Sequence, residues 1–557
     1  MANESTRQST SPLRAELRPT LVIGLDGASF DVIRPLVKAG RLPNLAAWME
    51  EGAAAVLRST VPPVSFPAWS TFATGLEPGA HGLFDFTQKV PGRYALRFTN
   101  ASDRSGATLF GRVSAAGGRV LALGMPATFP PEPVNGLLVA GFDAPVSTGS
   151  SARAASNPAF YEAIAARVGP WMSAEPDESA SAEGWHEAAA ERLVARVRQK
   201  LAFAQEALAQ LYVASMAPDL VCVVFSESDS VAHHFWRDHD PTSPRHDPSA
   251  STVRRFAVSA VYEALDAACG ELRAALGSNS ACFVVSDHGA GGASRRVVHL
   301  NRRLEEAWLL AFRRNGGAAR AARAARDAAL RVLPPGMREA AFRRLRPAAA
   351  KLESAARFGG IDWAKTTAFS EEANTQPGVW LNLASRERSG RVAAADYERA
   401  RDDVIAALHD WKLPCGAPVV ERARRREEVY DGPYVTRAPD VVIELALDGG
   451  YGLSLVPTPR GASAPAVRTL EDHELAGGRG RGMNGTHRAE GVWIEHGTGA
   501  PAFPSGHGTL AEASGPILAA LGIGGAATPA PPAAPRAYTA AEQAIVAGRL
   551  RRLGYLD

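Results

Sequence analysis

Leu21-Val22-Ile23-Gly24-Leu25-Asp26-Gly27 is an apolar run that stops abruptly on a carboxylate. A short apolar run bounded by glycine reads as a strand buried on both faces. The carboxyl end of such a strand is where an open α/β sheet places its ligands, so Asp26 occupies a site position. The chain then reaches Pro62-Pro63-Val64-Ser65-Phe66-Pro67-Ala68-Trp69-Ser70 and Thr74-Gly75-Leu76-Glu77-Pro78-Gly79-Ala80-His81-Gly82. Ser65 falls in a proline-flanked turn just before an expected helix start, from which a hydroxyl can reach the same crevice. Taken singly, an aspartate after a strand is as readily a helix cap, and a serine between prolines is an ordinary loop residue.

The pattern gains weight by recurring. The run from Asp219 to Phe225 reads as a second buried strand and delivers Ser226-Glu227-Ser228-Asp229-Ser230-Val231-Ala232-His233-His234. Ala281 to Val285 reads as a third and delivers Ser286-Asp287-His288-Gly289. A helix predicted over Val253–Leu276 separates the two, and strand, helix, strand at this spacing is a βαβ unit and hence a parallel sheet. Gly485-Thr486-His487 precedes a further strand at Gly491–Glu495. In a parallel sheet these strand ends converge on one edge, which gathers Asp26, Asp229, Asp287, His233, His288 and His487. Asp229 and His233 stand at i, i+4, on one face of a helical turn. Three unpaired carboxylates repel, and each unit of pKa shift costs roughly 1.4 kcal/mol. Divalent cations remove that repulsion and take oxygen and imidazole nitrogen together.

Elsewhere the spacing predicts helices over Phe30–Leu36, Leu42–Met49, Trp69–Gly75, Glu187–Leu211 and Thr539–Leu553, the last amphipathic and docked on the body. It predicts strands at Ala53–Leu57, Arg119–Leu123, Gly136–Ala140, Gly378–Leu383 and Val441–Leu445. No internal repeat is evident.

Composition sets the limits. A chain of 557 residues is too long for one compact core, and 46% hydrophobic residues is the usage of a globular protein. A net charge of +3 leaves no nucleic-acid footprint. The four cysteines, Cys222, Cys269, Cys282 and Cys415, form no CxxC pair and suit a reducing compartment. The polar stretch before Thr20 lacks the apolar segment of a secretory signal, and nowhere do 18 apolar residues run together. A cytoplasmic protein with no membrane span is expected.

The ordered set of pieces resembles the alkaline phosphatase superfamily. The likeness is to its type I phosphodiesterase/nucleotide pyrophosphatase branch and the related phosphohydrolase/phosphomutase proteins. The matching pieces are Gly24-Leu25-Asp26-Gly27, Ser65-Phe66-Pro67, Thr74-Gly75 through His81-Gly82, Asp229 with His233, Ser286-Asp287-His288-Gly289, and Gly485-Thr486-His487. The resemblance implies an α/β fold of the alkaline-phosphatase type, a sandwich with a mostly parallel central sheet flanked by helices and an inserted cap region. It implies two divalent metal ions per chain, Zn²⁺ being expected and Mn²⁺ the alternative. Asp26, Asp287 and His288 would hold one metal, bridged by the Ser65 hydroxyl, and Asp229, His233 and His487 the other. Ser65 would be the catalytic nucleophile, passing through a phosphoserine. A serine hydroxyl is too weak an acid to ionise near neutral pH and needs such activation before it attacks.

Two features depart from the family pattern. The nucleophile is Ser where family diesterases often carry Thr, and no Asn follows it before Asn100, so the group that holds the non-bridging phosphoryl oxygens is not identified. Trp69 replaces the Arg of the sulfatase pattern C/S-x-P-x-R, which argues against a sulfatase. His234 adjoins a ligand yet should point the other way, and His81 is expected to pack the loop after the Ser65 helix.

The domain reading divides the chain into a lead-in at 1–19 and a catalytic core at 20–301, with an excursion at 147–183. An inserted cap region rich in Ala and Arg at its start spans 302–460, the core returns at 461–523, and an Ala/Pro-rich linker with a final helix closes the chain at 524–557. The expected activity is metal-dependent hydrolysis of a small phosphorylated substrate, a nucleotide among the candidates. The alternatives are a phosphomutase on the same site and a metal-binding homologue without turnover.

Overall fold

Alternate residues of the first strand feed opposite sides of a sheet. In the computed structural model, which describes residues 17–145, 151–171, 185–313, 357–459, 464–475, 483–524 and 538–553, Leu21, Ile23 and Leu25 enter one core cluster and Val22 the other. That is why the run is apolar throughout rather than alternating.

The elements that build the site are, in chain order, β1 (Thr20–Leu25), α1 (Phe30–Lys38), α2 (Pro43–Glu51), β2 (Ala53–Arg58), α3 (Ser65–Thr74), β3 (Val120–Leu123), β4 (Gly136–Val139) and α4 (Trp185–Val213). They continue as β5 (Leu220–Phe225), α5 (Glu227–His239), α6 (Thr252–Leu276), β6 (Ala281–Val285), β7 (Gly289–Val298), β8 (Gly485–Arg488), β9 (Glu490–His496) and β10 (His507–Thr509). The eight-stranded sheet has the order β10-β2-β9-β6-β1-β5-β3-β4. Every neighbour is parallel except across β9, which runs against β6 and β2. Helices α1, α2, α4 and α6 cover one face, while α3 and the helices Leu109–Ala115 and Ser514–Ala520 cover the other. This is the mostly parallel, helix-flanked α/β architecture expected from the sequence, with β1, β5 and β6 adjacent at its centre.

Helix α3 begins four residues earlier than its spacing suggests, so Ser65 is its first residue and not part of the preceding turn. Pro67 is tolerated there because the first-turn amides of a helix have no intrahelical acceptor. The first such bond runs from the Ala68 amide to the Val64 carbonyl, 3.0 Å. The segment predicted as an excursion is partly packed: the helix Pro158–Val168 buries Tyr161 and Ile164 in the main core. The last helix docks as expected, placing Val546, Ala547 and Leu550 against Phe66, Phe86 and Phe142. Most of the Ala- and Arg-rich start of the cap region expected from 302, and nearly all of the Ala/Pro-rich linker expected from 524, lie outside the described residues.

A second, antiparallel sheet has the order Ala368–Phe369, Gly378–Leu381, Val441–Leu445, Val420–Arg425, with its own core around Val379, Leu381, Val404, Leu408 and Ile443. A short hairpin, Thr87–Lys89 with Leu96–Phe98, reaches across to it. Lys89 Nζ stands 2.6 Å from Glu387 Oε1 with both side chains buried, and Tyr94 stacks on Trp363 at 3.5 Å. Two buried acids lie at this junction. Burial pushes Asp85 up to about 6, offset in part by hydrogen bonds from Thr375 and the Phe86 amide. It pushes Glu371 up to about 7 against the pull of Arg357.

Both folded values exceed the unfolded ones, so the folded chain holds more protons between about pH 4 and 7. That stability is complete below the unfolded pKa values and is lost as pH rises through about 6 and 7. Glu371→Gln removes one of these titrations. Its melting temperature relative to wild type should therefore rise between pH 5 and pH 8, and a difference independent of pH would contradict this reading of Glu371.

Candidate active site

Each site residue leaves the end of an element that the central sheet positions. Asp26 follows β1, Asp229 lies in the first turn of α5 directly after β5, and Asp287-His288 follow β6. His487 arrives differently. Strand β7 starts immediately after His288, and β8 pairs antiparallel to it with His487 opposite Ala290. Two glycines make the convergence possible. At Gly24 an added Cβ would lie 2.6 Å from Trp69 Cη2, so only glycine lets α3 settle on β1. Gly27 has φ +65°, and its Cβ would meet Asp229 Oδ1 at 2.9 Å.

The seven residues singled out from the sequence meet in one place. The Ser65 hydroxyl, fully buried, donates to Asp26 Oδ1 at 3.3 Å and stands 3.4 Å from His288 Nε2. His288 Nε2 is 3.6 Å from Asp26 Oδ1 and 3.4 Å from Asp287 Oδ2. Across from them, His233 Nε2 is 3.1 Å and His487 Nε2 3.4 Å from Asp229 Oδ1. The rings of His288 and His487 stack at 3.8 Å, which joins the two halves. Asp229, His233 and His487 form one group able to hold a metal ion, and Asp26, Asp229 and His288 form another. Asp229 thus belongs to both.

The imidazoles are oriented alike. Nδ1 of His233 faces the Gly485 carbonyl at 2.8 Å, that of His288 the Gly289 carbonyl at 3.0 Å, and that of His487 the Pro63 carbonyl at 2.7 Å. A carbonyl only accepts, so each Nδ1 carries a proton and each Nε2 is the nitrogen turned into the site. His233 Nε2 and His487 Nε2 are 3.0 Å apart. Two lone pairs at that distance repel unless a proton or a metal ion lies between them.

The carboxylates carry the same strain. Burial and then the negative charge of Asp229 push Asp26 up to about 7. Burial and then Asp26 push Asp287 well above the carboxylate range. Asp229 is also buried, yet the neighbouring His233 and His487 hold it well below its usual value. Burial, followed by His487, drives His288 down to about 3. Asp287 Oδ1 accepts the Gly27 amide at 3.1 Å, whereas its buried Oδ2 has no hydrogen bond. Inward-turned imidazole nitrogens, crowded carboxylates and an unsatisfied carboxylate oxygen are the donor set that suits a divalent cation.

Three supporting contacts were not read from the sequence. Trp69 Nε1 donates to Asp26 Oδ2 at 3.0 Å, which leaves Oδ1 for Ser65. Trp69 lies four residues after Ser65, so the i, i+4 spacing was the available signal. Ser228 Oγ donates to the Asp26 carbonyl at 2.6 Å. Buried Glu227 accepts from Lys200 Nζ through Oε2 at 3.0 Å, and its Oε1 forms an ion pair with Arg196 Nε at 3.1 Å, both partners on α4. In one turn of α5, then, Glu227 is tied to α4, Ser228 to β1 and Asp229 to the imidazoles. The other histidines stay outside the cluster. His81 is buried between the Thr71 hydroxyl, 3.0 Å, and the Leu83 amide, 3.1 Å, and the His234 ring packs near Phe235.

Among known proteins, residues 20–453 match the family model described as type I phosphodiesterase / nucleotide pyrophosphatase. Phosphonoacetate hydrolase from Sinorhizobium meliloti 1021, solved with phosphonoformate, is similar over 91% of this chain and 96% of its own, at 17% identity and a TM-score of 0.50. That likeness is one of fold. Human ectonucleotide pyrophosphatase / phosphodiesterase 5 aligns over 92% of this chain and 96% of its own, at 13% identity and a TM-score of 0.44. No curated protein sequence matches the chain. Among the described residues, no helix is long and apolar enough to cross a membrane.

Proposed function

The chain belongs to the type I phosphodiesterase/nucleotide pyrophosphatase family of the alkaline phosphatase superfamily, a hydrolase of phosphoester bonds, and from that premise we propose that it cleaves a small phosphorylated substrate through a phosphoserine formed on Ser65. The observation that carries this reading is the buried Ser65 hydroxyl held between Asp26 Oδ1 and His288 Nε2, with the Nε2 atoms of His233 and His487 gathered around Asp229 in the same site.

In the first step the Ser65 oxygen attacks phosphorus as the bond to the leaving oxygen breaks, and the hydroxyl proton is aimed at Asp26 Oδ1. In the second, water attacks the phosphoserine, restoring the hydroxyl and releasing phosphate or a phosphomonoester. The open first-turn amides of α3 are suited to the non-bridging phosphoryl oxygens, a role the sequence assigns to no side chain. Asp26, Asp287 and His288, with Ser65, would hold one divalent ion, and Asp229, His233 and His487 a second, with Zn²⁺ favoured by the imidazole share and Mn²⁺ the alternative. Bound there, such ions supply Lewis acidity that lowers the pKa of the hydroxyl and stabilises the charge on the leaving oxygen. The region 302–460 would supply the substrate-facing cap, and a nucleotide is among the substrates that the family description favours.

The direct test is turnover of bis-p-nitrophenyl phosphate and p-nitrophenyl phosphate with Zn²⁺ or Mn²⁺ added. Metal-dependent release of p-nitrophenol from at least one is expected, and the ratio of the two assigns diester or monoester preference. Absence of metal-dependent turnover on both would count against the proposal.

A further inference from the structure

The loop that ends at Ser65 is poor in hydrogen bonds of its own. It reads Thr60-Val61-Pro62-Pro63-Val64, and two consecutive prolines offer no amide hydrogen. Its position therefore depends on what holds its carbonyl groups, and all three of those between Thr60 and Val64 are held. The Pro62 carbonyl accepts locally, from Thr60 Oγ1 at 2.7 Å and the Val64 amide at 3.0 Å. The Pro63 carbonyl accepts from His487 Nδ1 at 2.7 Å. The Val61 carbonyl accepts from the Tyr430 hydroxyl at 2.7 Å, across 369 residues of sequence.

Tyr430 is well placed to fix a position. It is buried, its ring meets Phe84 edge-on at 5.0 Å, and it packs with Ala438, Val442 and Val61. Its amide donates to the Arg426 carbonyl at 2.8 Å, and Arg426 is bound to Asp440 at 3.0 Å. Asp440 in turn accepts the Leu381 amide at 2.7 Å, as well as Arg386 and Tyr397. The hydroxyl is thus rooted in the second sheet, while the carbonyl it holds lies four residues before Ser65.

We propose that Tyr430 is a positioning residue for the nucleophile: its buried hydroxyl on the Val61 carbonyl and His487 on the Pro63 carbonyl together clamp the loop that sets Ser65 at the start of α3. This rests on Ser65 being the nucleophile. The second sheet then does more than face the substrate, because it fixes one end of the nucleophile loop. Without the hydroxyl the half-buried Val61 carbonyl loses its donor, and the loop is free to shift toward another. A misplacement of a reacting atom by about 1 Å can cost about a hundredfold in rate. Of the imidazoles and carboxylates of the site only His487 meets this loop, and it does so at the Pro63 carbonyl and not at Val61, so metal content should not follow.

The test compares Tyr430→Phe, which removes only the hydroxyl, with Phe84→Leu, which loosens the same cluster and leaves the hydrogen bond in place. Both are measured on the full chain for metal per chain, melting temperature, and kcat and KM on the better p-nitrophenyl substrate. Tyr430→Phe should keep its metal, lose about tenfold or more in kcat and hold KM within about twofold. Phe84→Leu should melt earlier with kcat within about twofold of wild type. A Tyr430→Phe enzyme with wild-type kcat, or a matching loss of kcat in Phe84→Leu, would overturn the proposal while leaving Ser65 as nucleophile. An inactive wild type, or a Ser65→Ala variant that still turns over, would instead remove the reading on which it stands.

Discussion

Ser65→Ala is expected to keep its metal and lose its chemistry. The hydroxyl is a weak neutral ligand until deprotonated, whereas carboxylate and imidazole dominate divalent affinity. In the structure Ser65 contributes one hydrogen bond to Asp26 and one contact to His288, and the three Nδ1 bonds that orient the imidazoles do not pass through it. Removing a nucleophile elsewhere costs on the order of 10⁴-fold or more in rate. Elemental analysis should therefore return the wild-type metal content for Ser65→Ala, while kcat on a p-nitrophenyl ester falls by roughly that factor. Mass spectrometry of the acid-quenched wild-type enzyme should find phosphate on the peptide containing Ser65. Loss of metal in the variant, or a rate within tenfold of wild type, would rule out the role given to Ser65.

The second large effect is expected at Asp229. Its Oδ1 lies within reach of both His233 and His487, and the same residue groups with Asp26 and His288. His487→Ala should empty one of the two proposed sites, because it removes a donor from one group. Asp229→Asn removes a charge that serves both, so its metal content should fall below that of His487→Ala, with activity lower by at least roughly three orders of magnitude. The loss should also show in the response to metal: added Zn²⁺ should raise the melting temperature of wild type far more than that of Asp229→Asn. Full metal content in Asp229→Asn would show that its carboxylate holds neither ion.

Much of the site was legible because each piece has a local cause. An apolar run ended or closely followed by Asp is visible in β1, β5 and β6, and a parallel sheet brings such ends to one edge, so Asp26, Asp229 and Asp287 gather from the sequence alone. His233 followed from the i, i+4 spacing and His288 from adjacency. His487 lies nearly two hundred residues beyond His288, and its only local sign is a Gly-rich stretch before a strand. Its place depends on the pairing of β8 with β7, which no periodicity in that Gly-rich stretch announces. The start of α3 was misjudged because prolines around Ser65 read as a turn, although a proline in a first helical turn costs no hydrogen bond.

The sequence by itself determined the class of fold and the kinds of donor at the site, since strand burial and the residue that ends each strand are properties of short segments. The division of labour among those donors was decided only by the tertiary structure. That Asp229 faces both groups, that Trp69 caps one oxygen of Asp26, that His233 and His487 turn Nε2 inward and that Tyr430 reaches the loop before Ser65 each depend on contacts between segments far apart in the chain. Such contacts follow from how packed elements meet, and packing has no local signature from which they could be read.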